Sequence, residues 1–397
     1  MSLFQEIGKH LENVKSWNPQ QAKTEEMFSY IDLSSVDKDR KAVDLNQIQQ
    51  VMSVDAPSRA RQIVKNSDVL VSTVRPNLNG VALVPDALDK ATASTGYCVL
   101  RANEKTLNAQ YLFYWVQTKS FINEMVSKAT GANYPAVSDK IIKQSKIPLP
   151  PIAEQQEIAA ILDAANSLRQ KDQQLVERYT ALSQSLFLEM FGDPESNSKK
   201  LEERLLSEVL DLITYGLTVR PKYVQEGVPL ISAREIRSGE VAFESAPRIS
   251  KSDFEKLSEK AKPVKNDILF SKTGSIGHCA LVKTKMDFAI SQNAARLTFK
   301  PLVNSIYAMH YLKTSYFQRL SQSRAKGNAV KDLQLGDMKM FKFLLPSSIL
   351  QNQFAERIQL IEAQKQLAQR SLEKSEALFN SLLQRAFTGE LTAKMAA

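Results

Sequence analysis

One spacing, 196 residues, recurs along this chain of 397 residues and limits what it can fold into. Asn108, Tyr111, Thr118 and Phe121 return as Asn304, Tyr307, Thr314 and Phe317. The match continues from Ser127, Ala129 and Gly131 to Ser323, Ala325 and Gly327, then from Pro150 and Gln155 to Pro346 and Gln351. It closes with Ala181, Leu182, Ser185, Leu186 and Phe191 against Ala377, Leu378, Ser381, Leu382 and Phe387. The fronts of the halves agree more loosely: Leu11 and Val14 with Leu206 and Val209, and Val64-Lys65-Asn66 with Val264-Lys265-Asn266. An offset held through a globular stretch and a helix implies two copies of one globular-plus-helix unit. Each half is long enough to bury its own core. Two copies suit a protein that touches two similar things at a fixed separation.

The helices follow from the punctuation. Pro148-Leu149-Pro150-Pro151 ends any strand and lets a helix begin, and no Gly or Pro follows from Ile152 to Met190. Ile158, Ile161, Ala165, Leu168, Leu175, Tyr179, Leu182 and Leu186 lie three and four apart, interrupted once at Asp172, and form a heptad seam. Gly192 and Pro194 stop the helix. The second copy starts after Pro346 at Ser347-Ser348, where a serine can cap free amides, and ends near Gly389. Its seam is Phe354, Ile358, Ile361, Ala368, Leu372, Leu378 and Leu382, with Lys365 at one heptad position and a one-residue slip before Leu378. Neither stripe can be buried alone. The expectation is that the two helices pack as an antiparallel coiled coil, about 58 Å long, which holds the globular parts apart. The competing arrangement lays each helix on its own domain core.

The expected class is α/β (α+β): globular domains at 1–150 and 196–346, helices at 151–195 and 347–397. Val69 to Val74 and Ile268 to Ser271 look like buried strands, as do Gly80 to Val84 and His278 to Val282. The net charge of +9 is uneven: the four segments carry +3, +10, −5 and +1 respectively. Basic globular parts point to a polyanion, although lysine-rich surfaces are common. No apolar run is long enough for a membrane span, and charges interrupt the apolar pattern of the first residues, unlike a secretory signal. Cys98 and Cys279 read as two reduced thiols of a cytoplasmic protein.

Several chemistries find no motif. There is no phosphate-binding loop ending in Gly-Lys-Ser/Thr, and Gly274-Ser275-Ile276-Gly277 is too short. Asn133-Tyr134-Pro135 has the wrong order for an amino-methyltransferase. His10, His278 and His310 are scattered, and no nuclease carboxylate cluster follows Pro85-Asp86. No metal-ligand spacing occurs. A binding protein is favoured over an enzyme. What remains are polar, basic loops at equivalent points of both halves. The first half offers Arg59, Arg61, Arg75, Asn77, Asn79, Lys128, Asn133, Tyr134, Lys140 and Lys143. The second offers Lys272, Thr273, Ser275, Gln292, Asn293, Arg324, Lys326, Asn328 and Lys331. Arg and Lys suit phosphates and guanine edges, while Asn and Gln suit adenine edges. Any one of these is equally a solvated loop residue. The set is more telling, because the same places are polar in both copies while their sequences differ.

Thr130-Gly131 with Tyr134-Pro135-Ala136-Val137-Ser138, then Ile147 through Pro151 and Glu154-Gln155-Gln156, carry a family resemblance. So do Lys272 through Gly277 and the close of the first helix from Leu186 to Gly192-Asp193. Over nearly its whole length the chain resembles the specificity subunit of a type I restriction-modification system. The second copy departs from the pattern, with Leu345-Pro346-Ser347-Ser348 where the first has Leu149-Pro150-Pro151-Ile152. The resemblance implies a non-catalytic subunit that reads a bipartite target in double-stranded DNA, one half-site per globular domain, across a gap set by the helices. It also implies a scaffold for two modification (methyltransferase) subunits, which methylate adenine in each half-site, and for restriction (translocase/nuclease) subunits. S-adenosylmethionine, ATP and Mg would then sit on those partners. Glu157, Asp163 and Glu177, off the seam, offer a surface for partner helices or are equally a solvated helix face. Two alternatives stay open on the sequence: an orphan DNA-binding protein without modification partners, and a coiled-coil scaffold that binds no DNA.

Overall fold

The computed structural model describes residues 4–22, 24–237 and 239–393. Residues 1–3 of the expected first domain and residues 394–397 of the expected last helix lie outside the described residues. The chain divides into two units, Met1–Gln174 with Ala368–Ala397, and Leu175–Leu367. The four consecutive segments expected from sequence are therefore regrouped, with part of each long helix in each unit. The physical reason is burial: the long helices contribute to the globular cores as well as to each other.

In the first unit a six-stranded sheet runs Leu11–Glu12, Tyr97–Ala102, Val69–Ser72, Val81–Leu83, Ala42–Val43, Val36–Asp37. Its centre is the antiparallel pairing of Val69–Ser72 with Tyr97–Ala102, Cys98 opposite Val71. These strands are apolar on both faces because both are covered: Val69, Val71, Cys98 and Leu100 cluster with helical residues such as Leu112 and Phe121, and Leu70, Tyr97 and Val99 with Ile31 and Ala93 of a second sheet. A four-stranded sheet runs Gln49–Met52, Met27–Ile31, Thr92–Ser94, Ala60–Ile63. Helices α1 (Ala109–Trp115), α2 (Lys119–Lys128) and α3 (Asp139–Gln144) precede the long α4 (Ile152–Phe191). Asn108, Thr118 and Ser138 cap the three short helices, their side chains accepting the N–H of Tyr111, Phe121 and Ile141.

The second unit contains α5 (Leu206–Val209), α6 (Lys251–Glu255), α7 (Ser305–Leu312), α8 (Ser315–Arg324), α9 (Leu335–Lys339) and the first part of α10 (Ser348–Ala386). A four-stranded sheet runs Leu210–Tyr215, Ala294–Phe299, Ile268–Ser271, Cys279–Leu281, and a three-stranded sheet runs Arg248–Ile249, Val228–Ile231, Ala289–Ile290. Asn304 and Thr314 cap α7 and α8 as their counterparts do. The repeated Gln is a buried clasp. Gln155 Oε1 accepts from Asn108 N–H at 2.9 Å while its Nε2 donates to Pro150 O at 2.8 Å. Gln351 repeats this with Asn304 N–H at 2.7 Å and Pro346 O at 2.8 Å. The repeated Tyr hydroxyls donate to Pro148 O and Leu344 O.

The looser matches at the fronts are corrected by geometry. Asp68 Oδ2 accepts from Lys65 N–H and Asp267 Oδ2 from Val264 N–H, both at 2.7 Å. Phe4 pairs with Pro148 where Glu203 pairs with Leu344. The fronts therefore correspond at an offset of 199, so Ile7, not Leu11, is the partner of Leu206. Each unit also buries one ion pair, Arg101 with Asp68 and Arg296 with Asp267, both at 2.7 Å.

The long helices pack antiparallel within each unit. In the first, Ser371 Oγ donates to Asp172 Oδ2 at 3.1 Å and the Arg169 guanidinium lies 5.0 Å over the Phe379 ring. In the second, Ser183 Oγ donates to Glu362 Oε1 at 3.4 Å, and Phe187 and Phe191 meet the Phe354 ring at 5.7 and 5.2 Å. Ile158, Ala165, Leu186, Phe354, Ile358, Ala368 and Leu372 are buried as expected, with Ile161, Tyr179, Ile361 and Leu382 partly so. Leu168, Leu175, Leu182 and Leu378 are not: each is 39–48% exposed. The inward line of α4 instead steps through Gln155, Ile158, Leu162, Ala165, Arg169, Asp172, Val176, Tyr179, Ser183 and Leu186. Its alternate positions, Leu162, Arg169, Val176 and Ser183, fall one residue after the expected ones; Arg169 and Ser183 find partners inside while Leu168, Leu175 and Leu182 take the flank. On α10 the apparent slip is absent. Ser375 and Phe379 are buried and keep the three-four alternation.

Candidate DNA interface

In each unit a buried central strand ends in a turn that is fastened to a downstream loop. Strand Val69–Ser72 leads to Arg75, held in the left-handed region at φ 50°, and then to a short turn at Pro76–Leu78. The downstream loop closes on itself: Thr130 N–H donates to Ala136 O at 3.0 Å, and Ala136 N–H to Thr130 O at 2.9 Å. Arg75 N–H to Pro135 O at 2.7 Å and Val137 N–H to Thr73 O at 2.9 Å fasten it to the strand end. The second unit repeats all four bonds. Lys326 and Asp332 exchange N–H to O at 2.9 and 2.8 Å, while Gly274 N–H donates to Lys331 O and Leu333 N–H to Lys272 O, both at 2.8 Å. Gly131 and Gly327 turn the loops at φ 100° and 112°. A Cβ on them would stand 2.9 Å from Tyr134 O and 2.3 Å from Val330 O, so only glycine fits. The result is a rigid finger whose tip faces solvent, at 131–134 and again at 327–330.

The structure brings some of the nominated residues together and sets others apart. Arg75 stacks 4.9 Å over the Tyr134 ring, and Asn133 is exposed beside it. Asn77 is exposed on the turn, but Asn79 is buried, its Nδ2 donating to Val116 O at 2.8 Å. Asn79 is thus an internal anchor, and its own carbonyl accepts from Lys41 Nζ at 2.6 Å. Lys128 pairs with Glu124 one turn back on α2 at 2.6 Å, while Lys140 and Lys143 are exposed on α3. Arg61 belongs to the four-stranded sheet instead of the finger, its Nη1 donating to Ala60 O at 3.0 Å, and Arg59 lies in the turn just before that strand.

In the second unit Lys272 is 8% exposed, and its ammonium is held by Asp332, which also accepts from Thr273 Oγ1. Burial pushes the Asp332 carboxyl up, but these two hydrogen bonds outweigh it and leave it below the usual range. Lys272 therefore braces the finger and brings no free charge to it. Lys326 pairs with Asp337 at 3.2 Å, whereas Arg324, Asn328 and Lys331 are exposed. Thr273, Asn293 and Val330 line two cavities of about 530 and 670 Å³. Gln292 lines the larger and Ser275 the smaller. Sequence reasoning missed Arg234 and Arg237, which line the smaller, and Tyr215, which lines the larger. The Arg-Glu-Ile-Arg spacing was the available signal: buried Glu235 and Ile236 turn both arginines outward.

The described residues thus present a framed, basic loop in each unit, positioned as a groove reader needs. The family model for the type I restriction modification DNA specificity domain matches residues 44–178 and 199–376. The EcoBI type I restriction enzyme specificity subunit of Escherichia coli is 24% identical over 332 residues, 75% of this chain and 69% of that one. The MjaVIII specificity subunit of Methanocaldococcus jannaschii is 22% identical over 349 residues, 84% and 81% of the two chains. A chain solved in a study of type I restriction-modification complex assembly shares the fold, with a TM-score of 0.56 and 22% identity over 98% of both chains. The type I S subunit from M. genitalium does likewise, at 0.56 and 14% over 98% and 96%. Two matched segments, one in each half of the repeat, place this chain in the type I restriction-modification DNA specificity family.

Proposed function

We propose that this chain is the non-catalytic, DNA-reading subunit of a type I restriction-modification enzyme, each unit reading one half of a bipartite duplex target. The observation that carries the reading is the finger: the same backbone frame in both units, dressed with different side chains. One scaffold presented twice with different surfaces is what two unlike half-sites require. The chain would act in the cytoplasm as a scaffold for two modification subunits and for restriction subunits. S-adenosylmethionine, ATP and Mg would be bound by those partners, and no step of the chemistry is assigned to this chain. No helix among the described residues is long and apolar enough to cross a membrane.

Duplex affinity against salt tests the reading. Exposed Arg75, Lys140, Lys143, Arg324 and Lys331 displace counterions when they meet phosphates, so log affinity should fall linearly with log salt, by about 0.9 per phosphate contact. Charge-reversal of Lys140 and Lys331 should reduce that slope by about two. A duplex affinity indifferent to salt would favour a scaffold that binds no DNA.

A further inference from the structure

What differs between the two fingers suits what differs between two half-sites, namely sequence. What is the same in both suits what the half-sites share: a phosphate backbone and, on the reading above, a base that must leave the stack to be modified. The shared features are the four-bond frame, the glycine turn and one more property. At the same place on each tip stands an exposed apolar side chain, Tyr134 at 70% and Val330 at 61%, separated by the repeat offset of 196. A basic residue stands beside each, Arg75 stacked on Tyr134 at one and Lys331 next in the chain to Val330 at the other. A valine has no group that can read a base edge by hydrogen bonding. It can fill space against a base pair, which is how apolar side chains pry base steps apart in other protein–DNA complexes. At the first tip the Arg75 guanidinium covers one face of the Tyr134 ring and leaves the other free for a base. The frame resists the recoil, because moving either tip breaks backbone hydrogen bonds that close within 130–136 or 326–332.

We propose that Tyr134 and Val330 are positioning residues that press on the base stack next to the base a modification partner extrudes, holding the gap open. They would not select the sequence. The inference rests on the proposed function and deepens it. Extrusion costs unstacking, and a side chain that occupies the gap lowers that cost, for the Tyr134 ring by about the value of one base–aromatic stacking contact and for Val330 by apolar contact with the exposed base.

The test uses the full chain assembled with its modification subunits, with duplexes carrying 2-aminopurine in place of the target adenine of one half-site for the fluorescence and unmodified duplexes for methyl transfer, since 2-aminopurine lacks the amino group that is methylated. Wild type should give a fluorescence rise on binding. Tyr134→Ala should lose most of that rise at the first half-site and slow methyl transfer there roughly tenfold, with duplex affinity within about threefold of wild type and the methylated motif unchanged. Tyr134→Phe should restore both, and the second half-site should be unaffected. Val330→Ser and Val330→Ile should repeat this pattern at the second half-site. An altered motif would make these residues sequence readers, and an undiminished fluorescence rise and rate would leave them no positioning role; either result overturns the proposal. If the wild-type complex itself neither binds a specific duplex nor raises the fluorescence, the proposed function fails first, and the inference falls with it.

Discussion

Replacing Gln155 with Leu keeps the side-chain volume and removes every hydrogen bond it makes. Gln155 is fully buried. Its loss leaves three groups without partners: the Asn108 N–H and the carbonyls of Thr106 and Pro150. An orphaned buried polar group costs about 1–3 kcal/mol, and an N–H has only one way to be satisfied while a carbonyl has two lone pairs. Weighting the amide most heavily gives a loss of about 3 kcal/mol. The two tryptophans, Trp17 and Trp115, both lie in the first unit, so fluorescence-detected urea unfolding reports that unit. With an m-value of about 2.5 kcal/mol/M the midpoint should fall by about 1 M. A shift below about 0.3 M would refute the idea that Gln155 clasps the helix start to α1. Gln351→Leu should cause a like loss in the second unit, read by far-UV circular dichroism.

Other perturbations separate the remaining claims. Arg101→Ala strands the Asp68 carboxylate, 2% exposed, and should cost about 3–5 kcal/mol by the tryptophan assay; a cost under about 1 kcal/mol would contradict a tight buried pair. Leu182→Asp with Leu378→Asp should leave helicity intact and change stability by no more than about 1 kcal/mol, because both side chains are nearly half exposed. Phe354→Ala, at a fully buried site, should cost about 3–5 kcal/mol. Collapse of helicity in the double Asp variant alone would restore the leucine seam. His310 is buried beside Lys313 and Lys365, and burial first, then those charges, hold its pKa down at about 3. The unfolded chain protonates this group near 6.5, so its contribution is complete above that pH and is lost as pH falls toward about 3. His310→Phe should therefore flatten the dichroism-detected stability profile between about pH 6.5 and 4; an unchanged slope would place the titration elsewhere.

The repeat was legible because the residues that return are those with a fixed geometric duty. Asn108 and Asn304 cap helices, Thr118 and Thr314 do the same, and Gln155 and Gln351 clasp them. Such duties tolerate few side chains, so they survive in both copies. The central strands were legible from their apolar runs, trimmed by a residue or two at the ends. The helix seam was half legible: leucines were taken to face inward, yet Asp172, Ser183 and Arg169 occupy the inside because each finds a partner there. Partner geometry of that kind leaves no mark in a hydrophobic pattern. At the interface the loops were found and the roles within them were not. Asn79 and Lys272 look like surface ligands in sequence and are braces in space, while Arg234 and Arg237 reach the cavity only because Glu235 and Ile236 turn inward.

The central claim is that each unit reads its own half of one DNA target. Co-expression of this chain with its modification subunits in a host lacking adenine methylation, followed by genome-wide mapping of methyladenine, tests it directly. The account predicts a split motif of two short specified blocks around an unspecified gap, with substitutions at Asn133 altering only one block and those at Asn293 only the other. A single uninterrupted motif, or no methylation from a complex that assembles and binds DNA, would contradict it.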